Sequence, residues 1–309
     1  MKPITLNEKR SGWLSAGLVW LSLALAFGLA SCGGGGSDAA ESSVSSIVAS
    51  PTRYSQTMVV SVSGRNLGSV VEMTVDGPCV NITRIASNSE DAAQWTCVVN
   101  GLGDLVPRIR QTVTRRELGS VRVNIPTPRV SMTLSDGTRS GPVVLELDPL
   151  AAPATVDNFL AYVASGFYRS TLIHRTFSTV GILGGAFTAD AGNAGALLAK
   201  PATRPAFTPN NNAGQLNLRG TIAMVRDANA APATTQFFIN ISDNEKFDIG
   251  GVDTPQGPVL FPNVVFGRVV EGLAVVNEAA IVPTGTEQTL RLDNVPVTPI
   301  TITAISQTR

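Results

Sequence analysis

The chain has 309 residues, enough for one or two ordinary domains beside a leader segment, and 43% of them are hydrophobic, which suffices for a packed core. Only 15% are charged, whereas Gly and Pro contribute 29 and 19 residues, a balance that favours β-rich structure with many turns over long solvated helices. The formal net charge is zero, so the composition gives no electrostatic footprint for nucleic acid, and we predict no such partner.

The N-terminus has the pattern of a targeting segment. Three basic residues precede an uncharged run over residues 11–31, which is typical of a secretory signal peptide but is also long enough for a membrane-spanning anchor. The sequence Leu29-Ala-Ser-Cys32 resembles the bacterial lipobox, whose cysteine is lipidated. We therefore predict a signal peptide over residues 1–31 and a lipid anchor at Cys32, with an uncleaved anchor and plain secretion as alternatives. The protein would then be exported to the bacterial cell envelope, on the periplasmic side, and Gly33 after the cysteine points to the outer membrane.

The next segment divides into a linker and a small β-rich region. Residues 32–44 are rich in Gly and Ser without apolar periodicity, which predicts a flexible tether. Residues 45–127 contain short apolar, β-branched runs between Gly, Pro and Asn turns, which is typical of a small β-sandwich. This region resembles an immunoglobulin-like module in a general way, and we interpret it as a spacer or binding module. The strands predicted in it cover residues 57–63, 70–76, 94–99 and 120–124.

The three cysteines divide into one predicted lipidation site and one pair. If Cys32 carries the lipid, Cys79 and Cys97 remain as an even pair in an exported chain, which favours a disulfide. That bridge would close a loop of about 18 residues and stabilise the fold by roughly 3 kcal/mol through chain entropy. Free thiols are the alternative, and a metal site is disfavoured because no histidine lies nearby.

The pattern changes from about residue 128 onward, where apolar runs alternate with two helical patterns. Val156, Phe159, Leu160 and Val163 recur at the spacing of one helix face. Many strands with two separated helices predict a closed, mainly β barrel that is capped at its ends. The second helix is predicted over residues 272–280, and the strands over residues 141–147, 221–225, 236–241, 264–270 and 300–305.

Four ordered blocks of this region resemble the signature blocks of the cyclophilins. They are Asn158-Phe-Leu…Gly166-Phe-Tyr…Leu172-Ile-His-Arg175 with Gly184-Gly185 after it, Arg219-Gly-Thr-Ile-Ala-Met-Val-Arg226, Ala233-Thr-Thr-Gln-Phe-Phe-Ile-Asn240 and Val264-Val-Phe-Gly-Arg-Val-Val-Glu-Gly272. The resemblance implies that residues 128–309 form a closed eight-stranded antiparallel barrel with two capping helices. It also implies that this domain is a peptidyl-prolyl cis–trans isomerase, which binds proline-containing polypeptides without a cofactor or metal.

The resemblance further implies an active site. Arg175 matches the catalytic arginine of the family, Phe238 the aromatic floor of a proline pocket, and Gln236 the side chain that binds substrate backbone and orients the arginine. The other substrate-binding positions that it implies are Val180, Met224, Val225, Phe247 and Asn263.

An arginine suits this reaction for a physical reason. Rotation about a peptide bond costs about 18–20 kcal/mol, and an X–Pro bond rotates slowly although no covalent bond has to break. As the bond twists, the prolyl nitrogen regains its lone pair, so a fixed cationic donor stabilises the twisted state more than the planar state. Arginine is permanently charged and donates from a rigid fork.

The stretch that follows Arg175 departs from the family pattern. Val180, Gly181 and Leu183 stand where typical members have Phe, Met and Gln, so two pocket walls are reduced and a polar contact to Arg175 is lost. We expect Phe177 to be out of register to replace them. Three functions therefore remain open: an active isomerase that helps folding, a cyclophilin-fold binder or chaperone with weak or no turnover, and a purely structural envelope lipoprotein.

The single histidine limits the competing enzyme classes. His174 would have to serve as the base of any Ser–His–Asp hydrolase, but the resemblance makes it a structural residue beside Arg175. One histidine also cannot build a multi-histidine zinc site. We predict no metal, and we expect the protein to be monomeric.

Overall fold

A computed structural model describes residues 41–193, 195–207, 214–226, 234–248 and 263–309, and the backbone of residues 252–254 and 257–259. The predicted signal peptide and Cys32 lie outside the described residues, so both stay predictions. Residues Ser42–Arg309 belong to one compact unit. Neither helix in the described part of the chain is long and apolar enough to span a membrane.

The N-terminal region forms two antiparallel sheets from short strands in which apolar residues alternate with polar ones. These strands are β1 (Ser43–Ser50), β2 (Thr57–Arg65), β3 (Val71–Asp76), β4 (Cys79–Ile85), β5 (Ala92–Val99), β6 (Gly103–Gln111), β7 (Glu117–Ser120) and β8 (Val123–Ile125). One sheet has the order β1-β2-β5-β4, and the other has the order β3-β6-β7 with β8 also paired to β6. The first strand begins at Ser43, slightly before the predicted end of the tether.

Alternate residues of both sheets share one hydrophobic core. Val60 on β2, Trp95 on β5 and Ile109 on β6 are buried members of a single core cluster, as a two-sheet sandwich requires. The strand predicted over residues 120–124 is divided into β7 and β8. Between these two strands the Val121 N–H donates to the Pro107 carbonyl oxygen at 3.1 Å.

The predicted disulfide joins the edge strand of the first sheet to its neighbour. Cys79 on β4 and Cys97 on β5 form the bond, with their Cα atoms 5.8 Å apart. The pairing predicted from the cysteine count is therefore confirmed.

The remaining elements build the C-terminal barrel and three small hairpins. The strands are β9 (Arg129–Ser135), β10 (Ser140–Leu147), β11 (Leu172–Phe177), β12 (Gly181–Gly184), β13 (Phe187–Ala189), β14 (Leu197–Ala199), β15 (Thr221–Met224), β16 (Phe237–Asn240), β17 (Val252–Thr254), β18 (Gly257–Val259), β19 (Val264–Glu271), β20 (Thr284–Glu287), β21 (Leu292–Pro296) and β22 (Ile300–Gln307). The helices are α1 (Pro153–Ala164) and α2 (Leu273–Ala280), and a short 3-10 turn covers Glu245–Phe247.

Eight strands close the barrel in the order β10-β19-β15-β16-β12-β11-β22-β9, and each of the pairings is antiparallel. The predicted eight-stranded barrel is confirmed. Ile182, Ile239 and Ile222 are direct partners across β12, β16 and β15, and all three are fully buried in the core cluster. Because directly paired residues point to the same face of a sheet, this row defines the barrel interior.

The two helices pack on the barrel as the sequence predicts. Helix α1 begins at Pro153, whose fixed φ suits the first turn, and it buries Val156, Phe159 and Val163. It contacts β19 and β22, which are not neighbours in the barrel, so it covers one end of the barrel. It ends before Gly166, which takes a positive φ of 71°. Helix α2 packs against β10 and β12.

Polar contacts connect the sandwich to the barrel within the compact unit. The Gln56 Nε2 donates to Gln307 Oε1 on β22 at 2.7 Å, and Gln307 Nε2 donates to the Tyr54 carbonyl oxygen at 3.1 Å. The buried Tyr54 hydroxyl also bonds to the side chain of Asp157 on α1. The last barrel strand and the first helix therefore both hold the N-terminal region.

Candidate active site

A β-bulge at His174 directs Arg175 to the outer face of the barrel. Ile173 pairs with Gly184, and Arg175 pairs with Leu183, so two steps on β11 match one step on β12. Regular alternation would have placed Ile173 and Arg175 on the same face. Because the bulge adds one residue, Ile173 lies in the core while Arg175 points outward.

Direct pairing across four strands brings the predicted catalytic and pocket residues together. Arg175 on β11 pairs with Leu183 on β12, Leu183 pairs with Phe238 on β16, and Phe238 pairs with Ala223 on β15. These four residues, which we call the outer row, share the face opposite the interior isoleucines. Arg175 and Phe238 therefore lie on one surface with the Leu183 position between them.

The Arg175 guanidinium is held from two sides. Its Nε donates to the Asp293 carbonyl oxygen on β21 at 2.9 Å, and its Cζ lies 5.0 Å from the centroid of the Phe177 ring. Burial lowers the pKa of Arg175 from its ordinary value, and the Asp293 carboxylate acts in the opposite direction. An arginine keeps its charge under such a shift, so the site contains a fixed cation.

Phe238 lies at the centre of a cluster of three aromatic rings. Its ring centroid is 5.4 Å from that of Phe247 and 6.4 Å from that of Phe177. A Cβ at Gly181 would lie 2.5 Å from the Phe238 ring and closer still to the Ile239 carbonyl oxygen, so the ring packs directly on the glycine backbone. With these neighbours, Phe238 is only 4% exposed.

Phe177 is the residue that the sequence interpretation missed. It pairs with Gly181 and lies two residues beyond Arg175, so it shares the face of the outer row. We expected it to be out of register, but the structure places its ring next to both Arg175 and Phe238. The signal in the sequence was the combination of Phe177 with Gly181, because a glycine partner leaves room for the ring.

Gln236 lies beside His174, close enough for its side chain to act on the pKa of the imidazole. Burial lowers the pKa of His174 to about 4, and the Arg175 charge acts in the same direction, whereas the neighbouring Leu172 backbone and Gln236 side chain oppose the shift. The imidazole is therefore neutral near pH 7 and packs against the Phe187 ring at 4.8 Å. Gln236 thus contacts Arg175's neighbour in the chain, and its direct role toward substrate stays a prediction.

The two predicted residues at the end of β15 point to opposite sides. Val225 is partly exposed, and its N–H donates to the Gln236 carbonyl oxygen at 3.0 Å, which places it beside the outer row. Met224 pairs with Phe237 and Val264 and is fully buried in the core. Contrary to the sequence-based prediction, the structure does not bring the Met224 side chain to the pocket face, because side chains alternate along the strand.

A buried asparagine network supports the wall of the aromatic cluster. Asn244 Nδ2 donates to the Val180 carbonyl oxygen at 3.0 Å and to Asn240 Oδ1 at 2.7 Å.

A second buried asparagine of this network holds the segment around Asn263. Asn217 Nδ2 donates to Asp248 Oδ1 at 2.7 Å and to the Asn263 carbonyl oxygen at 3.3 Å. Asn217, Asn240 and Asn244 are all buried, and they tie the predicted wall positions Val180 and Asn263 to the barrel. The Asn263 N–H in turn donates to the Phe247 carbonyl oxygen at 3.0 Å.

The chemistry available at this surface is positioning and charge stabilisation. Within the described residues, no group of three or more His, Cys, Asp or Glu side chains is arranged to hold a metal ion. The neutral, buried His174 is not placed as a base for hydrolysis. A fixed cation beside an aromatic pocket floor is the arrangement that stabilises a twisted prolyl amide.

The fold is a closed antiparallel barrel, and an arginine lies beside an aromatic cluster on its outer face. These two features together place the protein in the class of cyclophilin-like barrels. The family described as "Cyclophilin type peptidyl-prolyl cis-trans isomerase/CLD" matches residues 129–307, more than half of the chain. The chain therefore belongs to this family, and the resemblance seen in the sequence blocks is confirmed.

Two relatives in sequence agree with this membership. The chain is 39% identical over 165 residues to "Peptidyl-prolyl cis-trans isomerase A" of Dickeya dadantii, covering 53% of this chain and 78% of the relative. It is 39% identical over 170 residues to "Peptidyl-prolyl cis-trans isomerase cyp18" of Streptomyces antibioticus, covering 55% and 95%. A crystal structure of a cyclophilin type isomerase from Cryptosporidium parvum matches with 22% identity and a TM-score of 0.40, over 59% of this chain and 98% of that one.

Proposed function

We propose that the barrel catalyses cis–trans rotation of X–Pro bonds in exported polypeptides, from a body held at the membrane by a lipid on Cys32. The observation that carries the catalytic part is the outer row, which sets the Arg175 cation and the Phe238 ring on one face with a single residue between them. A proline ring packed near Phe238 would have its nitrogen within reach of the guanidinium. An acceleration of 10⁵-fold requires about 7 kcal/mol of preferential stabilisation of the twisted state.

Magnetisation exchange in NMR spectra of X–Pro peptides tests this activity. With protein far below the peptide concentration, we expect exchange peaks between the cis and trans forms that are absent without protein, because uncatalysed exchange takes tens to hundreds of seconds. No acceleration across several residues X would contradict the proposal.

A cyclophilin-fold binder with weak turnover is the second candidate, and a specific observation favours it. The Leu183 side chain offers no hydrogen bond to the Arg175 guanidinium, and Phe238 is nearly covered by its aromatic neighbours. NMR spectra of the same X–Pro peptides with added protein separate the two functions. Line broadening or shift changes of the peptide without exchange peaks would support the binder.

The exported location rests on the targeting pattern at residues 1–32. Cys32→Ala is expected to leave an unprocessed or soluble precursor, because the lipid cannot be attached, whereas the wild type should partition into the detergent phase. Detergent-phase partitioning of the mutant equal to that of the wild type would rule out the lipid anchor.

A further inference from the structure

Phe177 and Arg175 are adjacent on the outer face of β11. They are two residues apart on one strand, so their side chains project to the same side. The Arg175 Cζ lies 5.0 Å from the Phe177 ring centroid, within the distance at which a cation is attracted to an aromatic face. The guanidinium is half-buried, and partial removal of water strengthens such a contact.

Few other contacts fix the orientation of this guanidinium. The Nε hydrogen bond to the Asp293 carbonyl oxygen holds one edge, and no hydrogen bond engages the Nη atoms within the described ranges of the chain. Leu183, the direct cross-strand partner of Arg175, has an aliphatic side chain, which can accept no hydrogen bond from the guanidinium. The plane of the guanidinium is therefore set by the backbone carbonyl on one side and the aromatic ring on the other.

The local sequence makes room for the ring in this position. Gly181 is the cross-strand partner of Phe177, and it has no side chain to occupy the space above β12. The Phe177 ring thus extends between Arg175 and the Phe238 ring, 6.4 Å from the latter. A side chain at position 181 would collide with the Phe238 ring.

We propose that Phe177 is a positioning residue for Arg175. Its ring holds the guanidinium over the outer row by a cation–π contact, in place of a hydrogen bond that the guanidinium would donate to a glutamine side chain at position 183. This inference rests on the proposed isomerase function. A positioning role acts on the twisted state, where the cation is needed, more than on binding of the planar peptide. Loss of the ring should therefore lower kcat and leave KM nearly unchanged.

The test compares Phe177→Leu, which keeps an apolar side chain but removes the aromatic face, with Phe177→Tyr, which retains it. We expect Phe177→Leu to lower kcat roughly tenfold with KM within about twofold, and Phe177→Tyr to keep most of the activity. Adding Leu183→Gln to Phe177→Leu should restore much of kcat, because a carboxamide on the paired residue can accept from Arg175.

Phe167→Leu is the matched control. Phe167 also lies under a side-chain cation, with Lys200 Nζ at 4.8 Å from its ring centroid, but it packs against Tyr162 and Tyr168 and not against the outer row. At a temperature where the variants are folded, its kcat should match the wild type. An unchanged or increased kcat of Phe177→Leu in an active wild-type background would overturn the inference.

An inactive wild type would instead contradict the proposed function, and a second measurement then decides the inference. The Arg175 Nε–H signal in NMR spectra should be shifted by the Phe177 ring current and should move in Phe177→Leu but not in Phe167→Leu. An Arg175 signal that does not respond to the loss of the Phe177 ring would overturn the positioning role whatever the activity.

Discussion

Burial, more than nearby charge, sets the pKa of the His174 imidazole. Its ring is 2% exposed, and desolvation lowers its pKa to about 4 from 6.5. The unfolded chain therefore binds a proton between about pH 6.5 and pH 4 that the folded protein does not bind. Stability contributed by the neutral imidazole is complete above pH 6.5 and is lost as the pH falls toward 4.

This pH dependence can be measured at a single residue, because His174 is the only histidine of the chain. We expect its ring protons in NMR spectra to titrate near pH 4 in the folded protein and near pH 6.5 in urea. The free energy of unfolding should fall by roughly 3 kcal/mol between pH 6.5 and 4 from this group, and His174→Gln should remove that part of the loss. A folded-state titration near pH 6.5 would show that the ring is accessible to water.

Where a signature block fixed the register, the structure brings the predicted residues together. Arg175 and Phe238 lie on one face, and their roles toward substrate stay predictions. Phe177 was missed because the bulge at His174 changes the alternation of β11 relative to β12, and the apolar pattern of the sequence does not mark that bulge. Met224 was assigned to the pocket on the basis of the resemblance, but strand alternation buries it.

At the scale of elements, the β12–β16 pairing depends on a glycine. A Cβ at Gly181 would lie 2.5 Å from the Phe238 ring, and the Ile239 carbonyl oxygen of the paired strand is nearer still. The backbone oxygen cannot move without breaking the ladder. The departure from the family pattern at this position is therefore compensated by the rings that cover the glycine, and the pocket wall is not simply missing.

Gly181→Ala is expected to destabilise the protein by about 1–3 kcal/mol, the usual cost of overpacking a close-packed site. Gly285→Ala is the matched control, because a Cβ at Gly285 would meet nothing within 4 Å. Urea denaturation of both variants checks the difference. Equal stability of Gly181→Ala and the wild type would contradict the packing of Phe238 on this glycine.

The elements predicted from sequence were those with a clear apolar pattern. Helix α1 and strands β2, β3, β10, β19 and β22 were expected within a few residues of their bounds. Strand β4 was missed because most of its residues are exposed at the edge of a sheet, so no buried face marks it. The bounds of strand β6 were not predicted, because it contains Pro107 and two arginines, one of which, Arg108, bonds to Asp76 and Glu117.

At the scale of the whole molecule, the sandwich and the barrel belong to one compact unit. The sequence indicated a boundary near residue 128, and the strands of the two regions do separate between Ile125 and Arg129. It could not predict the contacts across that boundary, because Gln307 lies 251 residues from Gln56 and 253 residues from Tyr54, and these residues follow no motif.

Two single residues report on the two regions of the chain. Trp95 is buried in the sandwich and is the only tryptophan after residue 20, while His174 lies in the barrel. For residues 42–309 we expect urea transitions followed by Trp95 fluorescence and by the His174 NMR signal to share one midpoint, because the regions are hydrogen-bonded to each other. Tyr54→Phe should lower the free energy of unfolding by about 1 kcal/mol and so move the shared midpoint to a lower urea concentration. Separated midpoints in the wild type would indicate that the two regions fold independently.

The most direct test of the central claim is a protease-coupled assay of X–Pro isomerisation that compares the wild type with Arg175→Ala. The account predicts measurable catalysis by the wild type and a loss of roughly 10²–10³-fold in kcat/KM for the mutant, the scale for removing one preorganised donor. The mutant should remain folded, because the Arg175 side chain is only half-buried. Wild-type activity indistinguishable from that of folded Arg175→Ala, at high protein concentration and with several X–Pro substrates, would contradict the claim that this arginine catalyses the reaction.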